Sequence, residues 1–525
     1  MIRRNFMKVA GGVALAAGTA SKVARADVPD HLWAGYDFGS GPVVRDRLNQ
    51  GPFGVGQDEG WQVIASTTAS NAHVKNFGTG LVPYAWEEGG PTRSVRAGKE
   101  TLERAVEKLG ALPFADVLYI RCDWRDVQSE AGKLNLGPVW KLAFAAAKQY
   151  NLRVAFRIQL SSPNFQPKQL SLPDFLQKKV PLVKIGKVRG EGRERPQDWE
   201  YIEPRYDHPE FQKAFRELNE LLAAEYGDNP LLEFMDLMMY GFWGEAHTNR
   251  LHNPFPDYLT AEKTMVEMTR IQMETWKKIP LAVNTEPDIS SVGNRECQDL
   301  AVRAGEWLRS DSTVSIEEPQ QVENLGNRPP WLAVVMEEGG NRHYDPAALR
   351  FDAAGISDRE NGAMHVLDLN ANYWALWTEG DNLAAYYAKY PNAFDTLHRR
   401  MGYRVRPSWV WQRKRYETSE VILGIVNDGV AGVPGILRLY VESQDKKLSI
   451  GGGLDAGHPY GGRLRQAAFI LPKGMEGEKL SVRAEIETKG VRRPVHWACA
   501  QPLNPDGSFP ITLRKFDDAG WRKGI

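Results

Sequence analysis

Two glutamates stand directly after apolar segments of the sequence. Glu245 follows the apolar run 234–240 and a turn that contains two glycines, and Glu337 follows the apolar run 331–336. Glycine lets the backbone bend tightly, so the turn can expose the acid. Two carboxyl groups that face each other across a pocket can cleave a glycosidic bond. One protonates the leaving oxygen while the other attacks the anomeric carbon or activates water.

The neighbours of the two acids suggest their roles. Glu245 lies beside Trp243 and His247, and an aromatic partner desolvates a carboxyl group and favours its neutral form. We therefore predict that Glu245 is the general acid/base and Glu337 the nucleophile. Successive side chains of a strand point to opposite sides, so only one of Glu337 and the adjacent Glu338 should face the pocket. Glu337 is preferred as the first acid after the strand.

The segments that must position these acids have the pattern of βα units. From about residue 80 to 380, short apolar runs alternate with amphipathic segments, which favours a (β/α)8 TIM barrel of eight parallel strands. The active site of a barrel lies at the carboxyl ends of its strands, and the two glutamates fall on the fourth and seventh. The predicted strands are Leu81–Ala85, Val117–Cys122, Arg153–Leu160, Phe234–Tyr240, Leu281–Asn284, Thr313–Ile316, Leu332–Met336 and Met364–Leu369.

Two predicted helices and one insertion lie between these strands. Apolar residues at spacings of three and four predict a helix over Pro209–Tyr226, and a second is expected over Ala261–Lys277 with Thr260 as its N-cap. The insertion 161–208 is rich in lysine and arginine. It is either a solvated surface loop or a lid that favours anionic sugars.

Polar and aromatic residues at the predicted strand ends are candidates for substrate binding, because polar groups aimed into a pocket select a ligand. For each of them a role in packing or ion pairing is the alternative. Of the two strand-eight tryptophans, we expect one to form a platform under a sugar ring. The candidates are Asp123, Trp124, Arg157, Gln159, Tyr240, Trp243, His247, Asn284, Glu286, Glu338, Trp374 and Trp377, with Glu317, Glu318 and Glu379 as rival carboxylates.

The chain divides into four predicted parts. Arg3 and Arg4 precede a modestly apolar run that ends near Ala26, which predicts a signal peptide over residues 1–26, of the twin-arginine or the ordinary secretory kind. An N-terminal extension (27–75) and the barrel (76–410) follow. Short alternating strands separated by turn residues then predict a C-terminal β-sandwich over 411–525, which braces the barrel or binds glycan. We expect a periplasmic or secreted protein.

Composition excludes several classes of protein. Lys+Arg and Asp+Glu both number 66, so no net field would attract nucleic acid or an anionic membrane, and no later apolar stretch is long enough to span one. The 3 cysteines are widely separated, which argues against a disulfide framework and a CxxC metal site. The zinc-protease, serine-hydrolase and P-loop motifs are absent from the sequence. We predict no metal, no cofactor and a poly- or oligosaccharide substrate.

The layout resembles the clan A retaining glycoside hydrolases, in which the acid/base lies on strand four and the nucleophile on strand seven. The segments Asn76–Tyr84, Tyr240–Glu245 and Asn372–Trp377 are similar to those of bacterial β-galactosidase-like barrels, many of which have no assigned function. The resemblance covers about residues 76 to 405. It implies a β-galactosidase-like glycosidase that uses Glu245 and Glu337. Clan A enzymes usually have asparagine before the acid/base, where this chain has Gly244.

Three hypotheses follow from the sequence. The first is a retaining glycosidase with its carboxyl groups about 5–5.5 Å apart, whereas about 6.5–9.5 Å would indicate inversion. The second is a carbohydrate-binding protein on a barrel without catalysis, which the unusual Gly244 motivates. The third is a polysaccharide lyase that uses His247 or Tyr240 as a base against an anionic glycan.

Overall fold

The structure is a computed structural model. It describes residues 60–86, 93–164, 166, 168–187, 200–248, 251–285, 294–310, 325–338 and 358–516. The predicted signal peptide and three of the candidate acids, Glu286, Glu317 and Glu318, lie outside the described residues.

The described elements are as follows. The strands are β1 (Gln62–Ser66), β2 (Gly80–Trp86), β3 (Val117–Asp123), β4 (Arg153–Gln159), β5 (Leu182–Lys187), β6 (Glu200–Pro204), β7 (Leu232–Asp236), β8 (Leu281–Asn284), β9 (Trp307–Ser310), β10 (Val334–Glu337), β11 (Tyr373–Leu376), β12 (Val405–Arg415), β13 (Thr418–Asn427), β14 (Ile436–Ser443), β15 (Ser449–Gly453), β16 (Leu464–Ile470), β17 (Lys479–Thr488), β18 (Val491–Val495) and β19 (Phe509–Thr512). The helices are α1 (Arg93–Arg96), α2 (Leu102–Gly110), α3 (Trp124–Val127), α4 (Pro138–Gln149), α5 (Asp174–Gln177), α6 (Pro209–Tyr226), α7 (Tyr258–Thr275), α8 (Asn294–Ala304), α9 (Asp358–Asp368), α10 (Gly380–Lys389) and α11 (Pro391–Arg400).

Eight parallel strands close into a barrel, in the order β2, β3, β4, β7, β8, β9, β10 and β11. Side chains on the outer face of these strands, such as Leu118 and Phe156, pack against the surrounding helices in one buried cluster. Side chains on the inner face, such as Tyr84 and Tyr119, fill the barrel. The predicted TIM barrel is confirmed.

Two of the eight predicted strands were misplaced. The sixth strand is Trp307–Ser310, whereas the predicted segment Thr313–Ile316 lies outside the described residues. The eighth strand is Tyr373–Leu376, and the prediction of Met364–Leu369 is wrong because that segment belongs mostly to α9. A short apolar run does not distinguish a strand from a buried helical turn by its periodicity.

The two predicted helices are present. Helix α6 has the predicted bounds, and its apolar face, from Phe211 to Tyr226, is buried. Helix α7 begins at Tyr258, so the prediction that Thr260 caps it is wrong. Asp257 is the N-cap, and its carboxylate accepts a hydrogen bond from the amide of Thr260 at 2.7 Å. Aspartate caps a helix as well as threonine does.

Two antiparallel sheets form the second domain. One contains β1, β12, β13 and β16, and the other contains β15, β14, β17 and β18, with β19 beside β17. Leu423 of the first sheet and Leu439 of the second belong to one buried core, so the sheets form a sandwich. Strand β1, from the segment predicted as an N-terminal extension, pairs along β12.

The sandwich packs against the amino-terminal end of the barrel. Phe77 lies in the same buried cluster as the sandwich residues, 5.6 Å from the ring of Trp307 inside the barrel. The hydroxyl of Tyr403 donates to the Phe77 carbonyl at 2.7 Å. This contact places the sandwich opposite the end where the candidate acids lie.

The insertion between the third and fourth barrel strands is structured where it is described. It contains α5 and the antiparallel pair β5 and β6.

All three cysteines are buried free thiols. Among the described residues, no helix has both the length and the apolar character that crossing a membrane would require.

Candidate active site

Three arginines project into the barrel from its strands: Arg121 from β3, Arg157 from β4 and Arg309 from β9. Each is at most 2 % exposed. A buried charge is stable only when it is paired and hydrogen-bonded, and these three are paired with three acids near the carboxyl ends of the strands. We call the six residues the ion network: Arg121, Arg157, Arg309, Asp236, Glu245 and Glu337.

Arg121 joins the two predicted catalytic acids. Its Nη1 donates to Oε1 of Glu337 at 2.8 Å, and its Nη2 donates to Oε1 of Glu245. One guanidinium therefore holds both carboxylates side by side. The sequence prediction that residues of strands four and seven meet at the barrel mouth agrees with this geometry.

Glu337 has further partners inside the barrel. The hydroxyl of Tyr84 donates to its Oε1 at 2.6 Å, and Arg309 donates to its Oε2. Burial raises the pKa of Tyr84 well above the ordinary value, so this hydroxyl stays protonated. Glu338 instead accepts from Arg359 and from the amide of Trp377. Of the two adjacent glutamates, Glu337 joins the ion network and Glu338 does not.

Glu245 is held as a carboxylate anion. Arg157 Nη1 donates to its Oε1 at 2.7 Å, and His247 Nε2 lies 3.4 Å from its Oε2. Burial raises the pKa of Glu245, but Arg121, the hydrogen bond with His247 and Arg157 outweigh that effect and lower the pKa to about 2. The expectation that an aromatic contact keeps Glu245 neutral is therefore wrong for the free protein. Paired charges dominate over desolvation here.

The turn that carries Glu245 is conformationally unusual. The angle φ is positive at Gly241, Trp243, Gly244 and Ala246, with values of 79°, 57°, 73° and 62°. Left-handed backbone is costly for a non-glycine residue and persists only where the surrounding structure holds it in place. A Cβ atom on Gly241 would lie 2.3 Å from the carbonyl oxygen of His247, so the turn requires glycine there.

The insertion supports this turn. The amide of Gly241 donates to the hydroxyl of Tyr206 at 3.0 Å, and Tyr206 in turn donates to Glu203 of β6. Glu203 is fully buried and also accepts from Ser161. Burial raises its pKa to about 7, although hydrogen bonds from Ser161, Tyr206 and Gln166 act to lower it. The loop or lid predicted for the insertion does not anticipate this support.

Three predicted binding residues hold the site together. With its amide oxygen facing Arg121, Gln159 accepts from Arg121 Nε at 2.7 Å and donates to Asp123 at 3.0 Å. Asn284 donates to the backbone carbonyl of Glu245 at 3.2 Å. Arg157, predicted to bind sugar, likewise contacts Glu245, Asp236 and the carbonyl of Trp243. These contacts orient the acids and fix the turn.

Other predicted binding residues lie elsewhere. Trp124 and Tyr240, at most 1 % exposed, and Trp374, 2 % exposed, pack in the cluster between strands and helices. The structure therefore does not bring these three into the site, because their side chains point away from the barrel interior. Trp377 packs against the interior cluster and is partly exposed. Of the two strand-eight tryptophans, only Trp377 therefore packs on the interior side of the barrel.

Four residues of the site were not predicted from the sequence: Arg121, Arg309, Asp236 and Tyr84. The signal for Arg121 is its alternation with Tyr119 and Asp123 on one face of an otherwise apolar strand, since alternate residues share a face. Arg309 was missed because the sixth strand was predicted elsewhere.

One group of described residues could offer three metal ligands: His73, Asp116 and His398, whose ligand atoms lie within 4.8 Å of one another. His73 Nε2 is 2.8 Å from an Asp116 oxygen, and the two imidazole rings stack with centroids 3.7 Å apart. Stacked rings do not direct their nitrogen lone pairs at one ion. A hydrogen bond between His73 and Asp116 beside a second ring explains this cluster, and the absence of a metal stays a prediction.

No protein-family model and no curated protein matches the chain. Many solved structures are similar to the chain at a low level, including the following three. The exo-β-1,4-mannosidase Op5Man5 from Opitutaceae bacterium strain TAV5 has a TM-score of 0.36 and 10% identity, over 60% of this chain and 54% of that one. Endo-glycoceramidase II from Rhodococcus sp. has 0.36 and 12%, over 77% and 100%. D-allulose 3-epimerase from Methylomonas sp. has 0.32 and 12%, over 61% and 99%. Similarity at this level carries no argument about chemistry.

Proposed function

We propose that the protein is a glycoside hydrolase in which Glu337 attacks the anomeric carbon and Glu245 serves as acid and base. The observation that carries this proposal is the bridge made by Arg121, which binds both carboxylates with one guanidinium. Two acids fixed side by side at the carboxyl ends of barrel strands match the requirement of glycosidic hydrolysis.

The same bridge favours retention of configuration. The terminal nitrogens of one guanidinium share a carbon atom, so the two carboxylates they bind cannot lie far apart. Retaining enzymes need about 5–5.5 Å between the carboxyl groups, whereas inverting enzymes leave room for a water at about 6.5–9.5 Å. Tyr84 and Arg309 orient the Glu337 carboxylate for attack.

Glu245 must take up a proton before it can act as an acid. Arg121 and Arg157 both donate to its Oε1, whereas its Oε2 faces His247. We therefore assign proton transfer to Oε2. A bound sugar would displace water, which makes the charged carboxylate less favourable. Because the pKa of Glu245 is about 2 in the free protein, kcat/KM should rise as the pH is lowered from 7 toward 4. A constant or falling kcat/KM in that range would contradict the acid role.

Aromatic groups near the turn would contact the sugar. Trp243 is close to His247, with ring centroids 5.3 Å apart, and its buried Nε1–H has no hydrogen-bond partner among the described residues. A sugar hydroxyl can accept from this group, and the partly exposed Trp377 can stack on a sugar face. A β-galactoside is the first substrate to test, on the resemblance of the Glu245 turn. Export beyond the inner membrane remains part of the proposal.

The test is hydrolysis of aryl glycosides and of plant and algal polysaccharides by the wild type and by Glu245→Gln and Glu337→Gln. Both variants should lose at least roughly a hundredfold in rate. Glu338→Gln is the matched control, because it makes the same change one residue away and outside the ion network. Its rate should stay within roughly tenfold of the wild type. Equal losses in Glu337→Gln and Glu338→Gln would refute the assigned nucleophile.

The low pKa of Glu245 favours a second candidate, a carbohydrate-binding protein without catalysis. Each acid of the ion network is paired in the free protein, and an acid that never takes up a proton cannot protonate a leaving group. Such a protein would bind glycans in titrations yet release no reducing sugar from any of them. The lyase hypothesis loses Tyr240 as a base, because that side chain is 1 % exposed and packed against Phe255.

A further inference from the structure

A cleft lies at the amino-terminal end of the barrel, opposite the ion network. It measures about 660 Å³ and is lined by the segments that precede β4, β7 and β8, by the β17–β18 hairpin and by Phe77. Pockets for small ligands are usually about 300–1,000 Å³ and often lie between domains. The size and place of this cleft therefore suit a ligand.

The lining of the cleft is cationic. It includes five lysine or arginine residues and one acid, Asp228. Three of the cations have carboxylate partners: Arg153 with Glu233 at 2.9 Å, Arg492 with Glu487 at 2.8 Å, and Lys278 with Asp228 at 2.5 Å. The remaining two are Lys75 and Arg493.

Lys75 and Arg493 have no carboxylate partner among the described residues. The Nζ of Lys75 donates to the Tyr150 carbonyl at 3.2 Å. The guanidinium of Arg493 lies over the ring of Phe77, 4.0 Å from its centroid, and its buried Nη1 has no hydrogen-bond partner in the described part of the chain. Burial lowers the pKa of both groups. The carboxylates that attract these two cations, Asp116 and Glu233, form no salt bridge with them, so an anion bound at contact distance would stabilise both.

We propose that this cleft binds a small oxyanion, a molecule with a carboxylate or a phosphate, between Lys75 and Arg493. Arginine binds the two oxygens of such a group with a pair of parallel hydrogen bonds, and lysine adds a point charge. The site lies at the opposite end of the barrel from the ion network, so it does not depend on the proposed glycosidase activity.

The experiment is calorimetric titration of the full chain with sodium phosphate or sodium galacturonate. Galactose serves as the neutral control, and sodium chloride matches the ionic strength. At least one of the two anions should bind, and galactose should not bind at this site. Arg493→Gln and Lys75→Met should each weaken anion binding by roughly tenfold to a hundredfold, since each removes a charge-assisted contact. Comparing the two anions shows which oxyanion the cleft prefers.

Lys278→Met is the matched control. Lys278 lines the same cleft but is 59% exposed and already paired with Asp228, so its loss should weaken binding by less than about threefold. The anion should also bind Glu245→Gln as tightly as it binds the wild type. The proposal is overturned if neither anion binds at millimolar concentration, or if Lys278→Met weakens binding as much as Arg493→Gln. It is also overturned if Glu245→Gln abolishes binding.

Discussion

The two ends of the barrel handle buried charge differently. At the carboxyl end, the guanidinium groups of Arg121, Arg157 and Arg309 are matched by three carboxylates. At the amino end, Arg153 forms a salt bridge with Glu233, whereas Lys75 and Arg493 form none among the described residues and are attracted by Asp116 and Glu233 only from a longer distance. The cations at the carboxyl end are paired within the protein, whereas two cations at the amino end are available to bind an anion from solution.

This difference separates two uses of a buried cation. A matched network fixes its side chains in one geometry and can orient catalytic groups before a substrate arrives. A partly buried cation without a salt bridge opposes folding, because no close carboxylate offsets the cost of its desolvation. Substitutions at the two ends should therefore change stability by very different amounts.

Arg121→Met should give the largest effect. It leaves Glu245 and Glu337 buried at 6 % and 4 % exposure without their shared partner, and breaking a buried ion pair costs about 3–5 kcal/mol. We expect a loss of that size in the free energy of unfolding, measured by urea denaturation. The double variant Arg121→Met with Glu337→Gln should recover part of the loss. A loss below about 1 kcal/mol would mean that the pairing of Arg121 with the two carboxylates does not stabilise the fold.

Glu245 should make stability depend on acid pH. Its pKa of about 2 in the folded protein is below the ordinary value of about 4.3, so it stabilises the fold above that value. This stabilisation is lost as the pH falls toward 2. It amounts to about 3 kcal/mol, since one pKa unit corresponds to about 1.4 kcal/mol. Unfolding of Glu245→Gln followed from pH 5 to pH 3 should show a smaller loss than the wild type; an equal loss would contradict the pairing.

Glu203 should change the pH dependence of stability in the direction opposite to that of Glu245. Its pKa is raised to about 7 in the folded protein, so its contribution is full below about pH 4.3 and is lost as the pH rises through 7. Glutamine mimics the neutral carboxyl group, so Glu203→Gln should be more stable than the wild type at pH 8 by up to about 3 kcal/mol. At pH 4 the two proteins should be equally stable. A destabilised variant at pH 8 would mean that Glu203 is bound as an anion.

The sequence predicts the architecture of the two domains better than it predicts the buried charges at the two ends of the barrel. Alternating apolar and amphipathic segments were sufficient for the barrel, the sandwich and the positions of Glu245 and Glu337. The ion network was not foreseen because its arginines lie within strands, where a single polar residue does not disturb an apolar pattern. Their pairing depends on strands far apart in the chain, such as β3 and β10, and only the closed barrel brings them together.

Three of the predicted binding residues, Trp124, Tyr240 and Trp374, lie outside the site for a related reason. Placement after a strand says which end of the barrel a residue occupies, but not to which side its side chain points. A shift of one residue along a strand moves a side chain to the other face, and Trp374 points outward while Trp377 packs toward the interior. Trp124 begins helix α3 and packs against Phe211 of α6 with ring centroids 5.5 Å apart.

The smallest predicted effect comes from the unmatched end. Arg493→Gln removes a cation–π contact with Phe77 that is worth about 0.5–1 kcal/mol, but it also removes a partly buried charge that forms no salt bridge among the described residues and whose Nη1 has no hydrogen-bond partner there. These contributions oppose each other. We therefore expect the free energy of unfolding without ligand to change by less than about 1 kcal/mol in either direction.

Arg153→Gln is the control for that variant, because it removes a cation from the same cleft that is paired with Glu233, itself 1% exposed at the side chain. This change removes the salt bridge of a buried carboxylate and leaves it with hydrogen bonds from Tyr373 and the amide of Gly78, so it should cost about 3–5 kcal/mol. Urea denaturation of both variants at pH 7 measures the difference. If Arg493→Gln is as destabilising as Arg153→Gln, the guanidinium of Arg493 is a structural part of the domain interface, and the contrast between the two ends of the barrel fails.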